Sequence, residues 1–127
     1  MKYPYKSILS ALNKLFVQYG VEDNIANEVA LHLVNSDLFG HSSHGVARAP
    51  MYIDKIIKGE LNPNGKIRIE NQTESTATID GHWNFGQIIA RKAIEVAIDK
   101  ACSQNISCVT IKNSNHIGRL SDFTSQA

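Results

Sequence analysis

Hydrophobic residues recur at helical spacing through the first third of the chain. Over residues 5–19 the apolar positions lie three or four residues apart, and Gly20 provides a natural stop. A second helix is predicted to run from a cap at Asp23 or Asn24 to Gly40. Its apolar face carries Ile25, Val29 and Leu33. His32 lies within this helix, where a single histidine is typical of a structural or solvent-facing position.

A third helix is predicted to begin at Ser42 or Ser43 and to stop at Gly59. A serine hydroxyl at its start can accept a hydrogen bond from a free N–H of the first turn. Pro50 interrupts the pattern, because proline lacks an N–H and crowds the carbonyl group of the preceding turn. The chain therefore either kinks at Pro50 or begins a new helix with Pro50 in its first turn.

The pattern changes after residue 60. Residues 62–65, Asn-Pro-Asn-Gly, are typical of a turn, and two alternating runs at 66–70 and 75–80 predict a β-hairpin with a polar turn at 71–74. Helical spacing returns from Gly86 to Cys102, with Asn84 as the expected cap. The apolar face of that helix carries Ile89, Ala93, Val96 and Ala97.

The chain closes with a predicted short buried strand at 106–111, a polar loop, and a new helix near Ile117. This order of elements indicates an α/β fold in one domain, residues 1–127, with a helical segment at 1–60 and a hairpin–helix–strand–helix start at 61–127. An open α/β sheet would normally continue beyond this point. We therefore expect an incomplete portion of a larger fold.

Composition excludes several classes of protein. The chain has 127 residues, of which 43% are hydrophobic and 20% are charged, as in an ordinary globular domain. Its net charge of +1 is too low to indicate a nucleic-acid or anionic-membrane partner. Neither a signal peptide nor a run of about 20 apolar residues is present. Cys102 and Cys108 form no CxxC motif and are predicted to be buried free thiols. These features predict a soluble cytoplasmic protein.

The stretch SDLFGHSSHGVARAPMYIDK gathers several reactive side chains. On a continuous helix His44, Arg48 and Tyr52 would share one face, one turn apart, with Ser43 at the helix mouth, where free N–H groups favour anions. An arginine can hold a carboxylate by two parallel hydrogen bonds, and a histidine can move a proton near neutral pH. Tyr52 or Ser43 could bond a substrate oxygen. The set suits a small carboxylic acid; the alternative is an ordinary polar helix face.

His116 lies in the polar loop at the carboxyl end of the predicted strand at 106–111, where ligands bind in open α/β sheets. Asn113, Ser114 and Asn115 offer donors and acceptors that could fix its tautomer. The alternative is a surface-loop histidine. The sequence contains neither G-x-G-x-x-G nor a P-loop, so no cofactor-binding residues are assigned.

Two rival chemistries are disfavoured. A zinc site lacks the HExxH pattern or a fitting carboxylate, so no metal ligand is assigned. Its candidate histidines would be His41, His44, His82 and His116. Nucleophilic catalysis by Ser43 would need a base, and adjacent helical side chains diverge by about a quarter turn, which makes His44 unsuitable. A triad would instead require His116 and an acid such as Asp37.

Three motifs, SDLFGHSSHGVARAPMY, GHWNFGQ and IKNSNHIGRL, resemble the type 2 malate/L-lactate dehydrogenase family of NAD(P)-dependent oxidoreductases, which do not have a Rossmann fold. The resemblance spans nearly the whole chain. It implies hydride transfer between a nicotinamide cofactor, NAD or NADP, and C2 of a small 2-hydroxy or 2-oxo acid.

By this resemblance His44 and His116 match the two catalytic-site histidines of the family. Arg48 matches the arginine that binds the substrate carboxylate, and Ser43 and Tyr52 match further substrate-contacting positions. One position departs from the family pattern Asp-x-Arg-Gly, because Phe39 replaces the arginine.

Members of the family are much longer, and their nicotinamide-binding domain lies mainly in the part that follows. The resemblance therefore implies a truncated oxidoreductase that works as a homodimer or with a complementary C-terminal chain. The alternative is a non-catalytic remnant or a partner-binding domain without the cofactor domain.

Overall fold

The computed structural model describes residues 3–127. The chain divides between Asn64 and Gly65 into two compact units, the first helical and the second mixed α/β. The order of elements agrees with the predicted sequence of helices, hairpin, helix, strand and short helix, so the α/β class is confirmed. The single-domain organisation and its segments 1–60 and 61–127 stay predictions.

The helical unit begins with two helices, α1 (Tyr5–Gln18) and α2 (Asp23–Leu38). Both agree with the predicted helices, and Gly20 between them has φ +82°, which glycine adopts without strain. The predicted cap of α2 is wrong, because Glu22 occupies the N-cap and makes no side-chain cap bond. His32 is buried within α2, at 2% exposure. The main buried side chains of the two helices are Leu12, Phe16, Val29, Leu33 and Val34.

The prediction of a continuous helix from Ser43 is wrong. Two 3₁₀ turns, Ser42–His44 and Val46–Arg48, precede α3 (Ala49–Ile57), and neither turn has a side-chain cap bond. Gly45 between the turns is extended, with φ −90° and ψ −153°, which breaks any continuous helix. Pro50 lies in the first turn of α3, where its missing N–H costs nothing, so the second alternative is correct.

The second unit is a three-stranded sheet with one long helix. The hairpin strands β1 (Arg68–Gln72) and β2 (Thr76–Asp80) pair antiparallel, and β3 (Cys108–Lys112) pairs parallel to β2. Helix α4 (Gly86–Gln104) makes the crossover, and α5 (Ser121–Thr124) follows the sheet. The core cluster consists of Ala77, Ile79, Ile89, Ala93 and Val96.

Several local predictions in this unit are wrong. Phe85, not Asn84, is the N-cap of α4, and α5 begins at Ser121, four residues after the predicted start. Strand β3 alternates between exposed and half-buried positions because it lies at the edge of the described sheet. Cys102 and Cys108 are both exposed, since they lie on outward-facing positions of α4 and β3. Over residues 3–127, no helix is long and apolar enough to span a membrane.

Candidate active site

The turn that carries His44 is folded against the end of α2. The carboxylate of Asp37 accepts a hydrogen bond of 2.8 Å from the backbone N–H of Val46. Gly45 lies directly against that carboxylate, and a Cβ at this position would overlap it. The sequence SSHGV is therefore shaped by Asp37, a residue that spacing arguments considered only as the acid of a triad.

Ser43 and His44 interact directly. The Ser43 Oγ lies 3.0 Å from the His44 Nδ1, which is a hydrogen-bond distance. The expectation that divergence keeps the two side chains apart is wrong here, because their polar atoms come within hydrogen-bond distance in the 3₁₀ turn Ser42–His44. The contact orients the imidazole through Nδ1 and directs Nε2 away from the serine.

Arg48 is held close to the same turn. Its Nε donates a hydrogen bond of 2.6 Å to the backbone carbonyl oxygen of Ser43, and its Nη1 lies 3.9 Å from the Met51 sulfur. Arg48 therefore bends back over the SSHG turn, which places a half-buried guanidinium near Ser43.

The helix-face arrangement of His44, Arg48 and Tyr52 is wrong. His44 and Arg48 lie in successive 3₁₀ turns, and only Tyr52 belongs to α3. His44 is half-buried, whereas Tyr52 is fully buried at 0% exposure. The arrangement brings Ser43, His44 and Arg48 together and leaves Tyr52 as a packed side chain.

His116 lies in the loop after β3, as predicted, and is half-buried. The side chain of Asn115 donates to the carbonyl oxygen of Trp83 at 2.7 Å and, more weakly, to that of Asn84 at 3.4 Å. Ser114 Oγ donates to the Asn115 carbonyl oxygen. These polar side chains fix the backbone of the loop, and their role in setting the tautomer of His116 stays a prediction.

Asp80 closes β2 and is 6% exposed. The backbone N–H of His82, which donates to this carboxylate at 2.8 Å, holds the pKa of Asp80 below its ordinary value of 3.8. The Asn113 side chain and the Lys112 ammonium lower the pKa further, and burial opposes them. Sequence reasoning missed Asp80; the signal available was a carboxylate at a strand end followed by Gly81.

The candidate residues fall in two groups, and each group is assembled within its own unit. Ser43, His44, Arg48 and Tyr52 belong to the helical unit, and His116 belongs to the α/β unit. No group of three or more histidine, cysteine, aspartate or glutamate side chains that could hold a metal ion occurs among residues 3–127. Of the histidines considered as zinc ligands, His41 has its Nδ1 2.9 Å from the Phe39 carbonyl oxygen.

Comparison with known proteins identifies the chain's relatives. The family described as malate/L-lactate dehydrogenase matches residues 3–127. L-sulfolactate dehydrogenase of Methanothermobacter thermautotrophicus is 40% identical over 113 residues, which cover 89% of this chain and 31% of that protein. Hydroxycarboxylate dehydrogenase B of Escherichia coli is 33% identical over 125 residues, which cover 98% of this chain and 35% of that protein.

Solved structures agree with the sequence comparison. Malate dehydrogenase from Pyrococcus horikoshii matches with a TM-score of 0.95 and 35% identity, over 100% of this chain and 36% of that chain. The fold described above is thus found within larger dehydrogenase chains, and this chain spans about a third of the length of the curated relatives it matches. The family match and the shared fold together establish that the chain belongs to the malate/L-lactate dehydrogenase family.

Proposed function

We propose that this chain is the acid-binding and proton-transferring part of an NAD(P)-dependent 2-hydroxy acid dehydrogenase. The observation that carries the proposal is the SSHG turn, in which Ser43, His44 and Arg48 are held together, in a chain that matches the family over residues 3–127. Relatives named for sulfolactate, malate and hydroxycarboxylate support a small 2-hydroxy or 2-oxo acid as the substrate class.

Each side chain has a defined task in this proposal. Arg48 binds the substrate carboxylate through the guanidinium N–H groups that do not engage Ser43. We propose His44 and His116 each as a proton-transferring residue, since imidazole titrates near neutral pH. Ser43 orients His44 through Nδ1, and Tyr52 contacts the substrate. The side chain of Tyr52 is fully buried, so this contact comes from the resemblance alone.

A bound nicotinamide would supply or receive the hydride at C2. The residues named above would bind the acid substrate and transfer its proton. The sequence contains no glycine-rich phosphate loop, so we assign no residues to the cofactor. We also propose that the protein works in the cytoplasm, as a homodimer or together with a complementary chain. Either NAD or NADP satisfies the proposal.

The test is a chimera with a complete relative. Residues 3–127 replace the matching third of the Pyrococcus horikoshii malate dehydrogenase, and NADH and NADPH oxidation are followed with a panel of small 2-oxo acids. We expect turnover that falls at least about 100-fold in the His116→Ala and His44→Ala chimeras, because general acid–base catalysis contributes roughly 10²–10⁴-fold.

Arg48→Lys separates substrate binding from proton transfer. We expect it to raise KM for the acid more than it lowers kcat, since lysine cannot make the paired hydrogen bonds to a carboxylate. The exposed Arg68 provides the control, and Arg68→Lys should leave both constants unchanged. A folded chimera without turnover, beside an active parent enzyme, would refute the proposal.

A non-catalytic, partner-binding role is the alternative. It is favoured by Phe39, which stands in place of the family arginine. Phe39 is 65% exposed at the end of α2, where it could contact another protein. Turnover by the chimera distinguishes the two, because this role predicts a folded chimera that binds the cofactor through the parent enzyme's domain but reduces no 2-oxo acid.

A further inference from the structure

The loop after β2 and the loop after β3 are joined at one end of the sheet. We define them as the 81–85 loop and the 113–116 loop. The backbone N–H of Gly81 donates to the carbonyl oxygen of Lys112 at 3.0 Å, and that of Trp83 donates to the carbonyl oxygen of Asn113 at 2.8 Å. These bonds continue the parallel pairing of β2 and β3 beyond the strands and carry it towards His116.

Asp80 lies at the start of this junction and contacts both loops. Its carboxylate accepts the backbone N–H of His82 at 2.8 Å, on the 81–85 loop. The Nδ2 of Asn113 lies 3.1 Å from each Asp80 oxygen, on the 113–116 loop. Lys112 Nζ lies 3.7 Å from the same carboxylate and 2.7 Å from Glu70. One buried carboxylate therefore connects the two loops.

The junction holds its backbone in an unfavourable conformation. Of the non-glycine residues 3–127, four have positive φ, and three of these are His82 at 45°, Trp83 at 60° and Asn113 at 50°. Left-handed conformations persist in bulky residues only when surrounding contacts enforce them, and they concentrate at functional sites. Two of these three residues, His82 and Asn113, donate hydrogen bonds to Asp80.

Close contacts also constrain Asn115 and the backbone of His116. Asn115 is 8% exposed and its side chain donates to the carbonyl oxygen of Trp83 at 2.7 Å. Gly86 lies against the carbonyl oxygens of Asn115 and His116, which a Cβ would overlap. The backbone of His116 is therefore fitted closely against the start of α4, and its position follows that of the 81–85 loop.

We propose that Asp80 is a positioning residue for His116, acting through Asn113 and the 81–85 loop. This inference rests on the proposed function in that it assigns His116 to proton transfer. Asp80 does not touch the substrate; it fixes the backbone from which the imidazole projects. A displacement of that backbone by about 1 Å would be enough to lower the rate of a positioned proton transfer.

The experiment compares local order in the parent chain and in Asp80→Asn. Backbone amide hydrogen exchange is measured by NMR, together with the 1H–13C signal of the His116 ring. In Asp80→Asn we expect the Trp83 amide to exchange at least about tenfold faster and the His116 ring signal to broaden at least about twofold, because the Asn113 donors lose the carboxylate. The interior amide of Ala93 in α4 should change less than about twofold.

A matched control and a rescue separate positioning from general destabilisation. Glu70→Gln removes the negative charge of the other carboxylate that pairs with Lys112. It should leave the exchange rate of the Trp83 amide and the His116 ring signal unchanged. The combined Asp80→Asn and Asn113→Asp variant exchanges amide and carboxylate, and should recover at least half of the lost protection. The ring signal of His32, buried in α2, serves as the internal reference.

Asn113→Gly provides the decisive variant if Asp80→Asn does not fold, because glycine accepts φ 50° and only the side-chain bonds are lost. The inference is overturned if the folded variant keeps both the Trp83 protection and the His116 signal of the parent. It is also overturned if Ala93 loses protection as much as Trp83. Neither readout needs turnover, so failure of this inference and failure of the proposed dehydrogenase activity are separate results.

Discussion

At the scale of single residues, Asp37 determines the shape of the turn that carries His44. Its carboxylate accepts the Val46 N–H and occupies the space where a side chain at Gly45 would lie. The backbone of Gly45 is extended and open to any residue, so the requirement for glycine is steric and not conformational.

Gly45→Ala should therefore lower the free energy of unfolding by about 1–3 kcal/mol, the usual effect of forcing an extra methyl group into a packed position. Urea denaturation followed by circular dichroism measures it. The same substitution in an Asp37→Ala background should cost less than half as much, since the overlapping carboxylate is then absent. Equal costs in both backgrounds would show that Asp37 does not impose the glycine.

Asp80 gives the second prediction at this scale, a dependence of stability on pH. The pKa of Asp80 lies below its ordinary value of 3.8 because of the His82 N–H, Asn113 and Lys112. A carboxyl group with a lowered pKa in the folded state contributes its full stabilisation above the unfolded value. That contribution is lost as the pH falls through the folded pKa.

We expect the stability of the α/β unit to fall as the pH is lowered from about 5 towards 2, and to fall less in Asp80→Asn. Trp83 is the single tryptophan of the chain, and its fluorescence during urea denaturation reports on this region. Parallel pH profiles for the parent and the variant would contradict the prediction.

The sequence predicts Ser43, His44, Arg48 and His116 as site residues, because motif spacing and resemblance both point to side chains that carry chemistry. It did not predict the tertiary contacts of Asp37 and Asp80. Their hydrogen bonds cross 9 positions to Val46 and 33 positions to Asn113, and only the folded backbone brings such residues together. Resemblance locates reactive groups, whereas the residues that position them depend on tertiary structure.

At the scale of elements, the sequence pattern predicts the bodies of the helices better than their ends. Periodicity gave α1, α2 and α4 nearly complete, because burial of one face determines where a helix runs. The predicted caps at Asp23, Ser43 and Asn84 are wrong. These side chains take other partners, such as the 2.9 Å bond from Asn84 to the Gly65 carbonyl oxygen.

Helix α4 ends at Asn105, which has φ +64° and whose N–H bonds to the Ala101 carbonyl oxygen at 2.8 Å. Asn105→Ala should lower the free energy of unfolding by about 1–2 kcal/mol, because alanine pays the full steric cost of a left-handed residue. Asn105→Gly should equal or exceed the parent, since glycine has no Cβ. Thermal unfolding of both variants tests this, and an alanine variant as stable as the glycine variant would refute it.

At the scale of the whole molecule, the order of elements was predictable from the sequence. Alternating and helical patterns report which faces are buried, and these gave the α/β order. The two units divide between Asn64 and Gly65, close to the change of pattern after residue 60. The exposure of Cys102 and Cys108 was not predicted, because the burial preference of cysteine does not show which positions of α4 and of the edge strand β3 face outward.

The core of the α/β unit connects stability with the proposed site. Ile89 is 0% exposed, packs with Ile79 and Ala93, and its side chain lies against Gly81, at the start of the 81–85 loop. Removing its outer carbons would leave a cavity beneath both the sheet and that loop. Ile89→Ala should therefore lower the free energy of unfolding by about 2–5 kcal/mol, the range measured for large-to-small substitutions in packed cores.

Ile106 offers a matched control, because it is the same residue type at 73% exposure in the same unit. Ile106→Ala should change stability by less than about 0.5 kcal/mol, as is usual for exposed positions. Both variants are compared by urea denaturation with Trp83 fluorescence, and amide exchange at Trp83 shows whether the 81–85 loop loosens with the core. If Ile89→Ala costs no more than Ile106→Ala, the sheet and α4 do not share the core described here, and the support beneath the loop that leads to His116 must come from other residues.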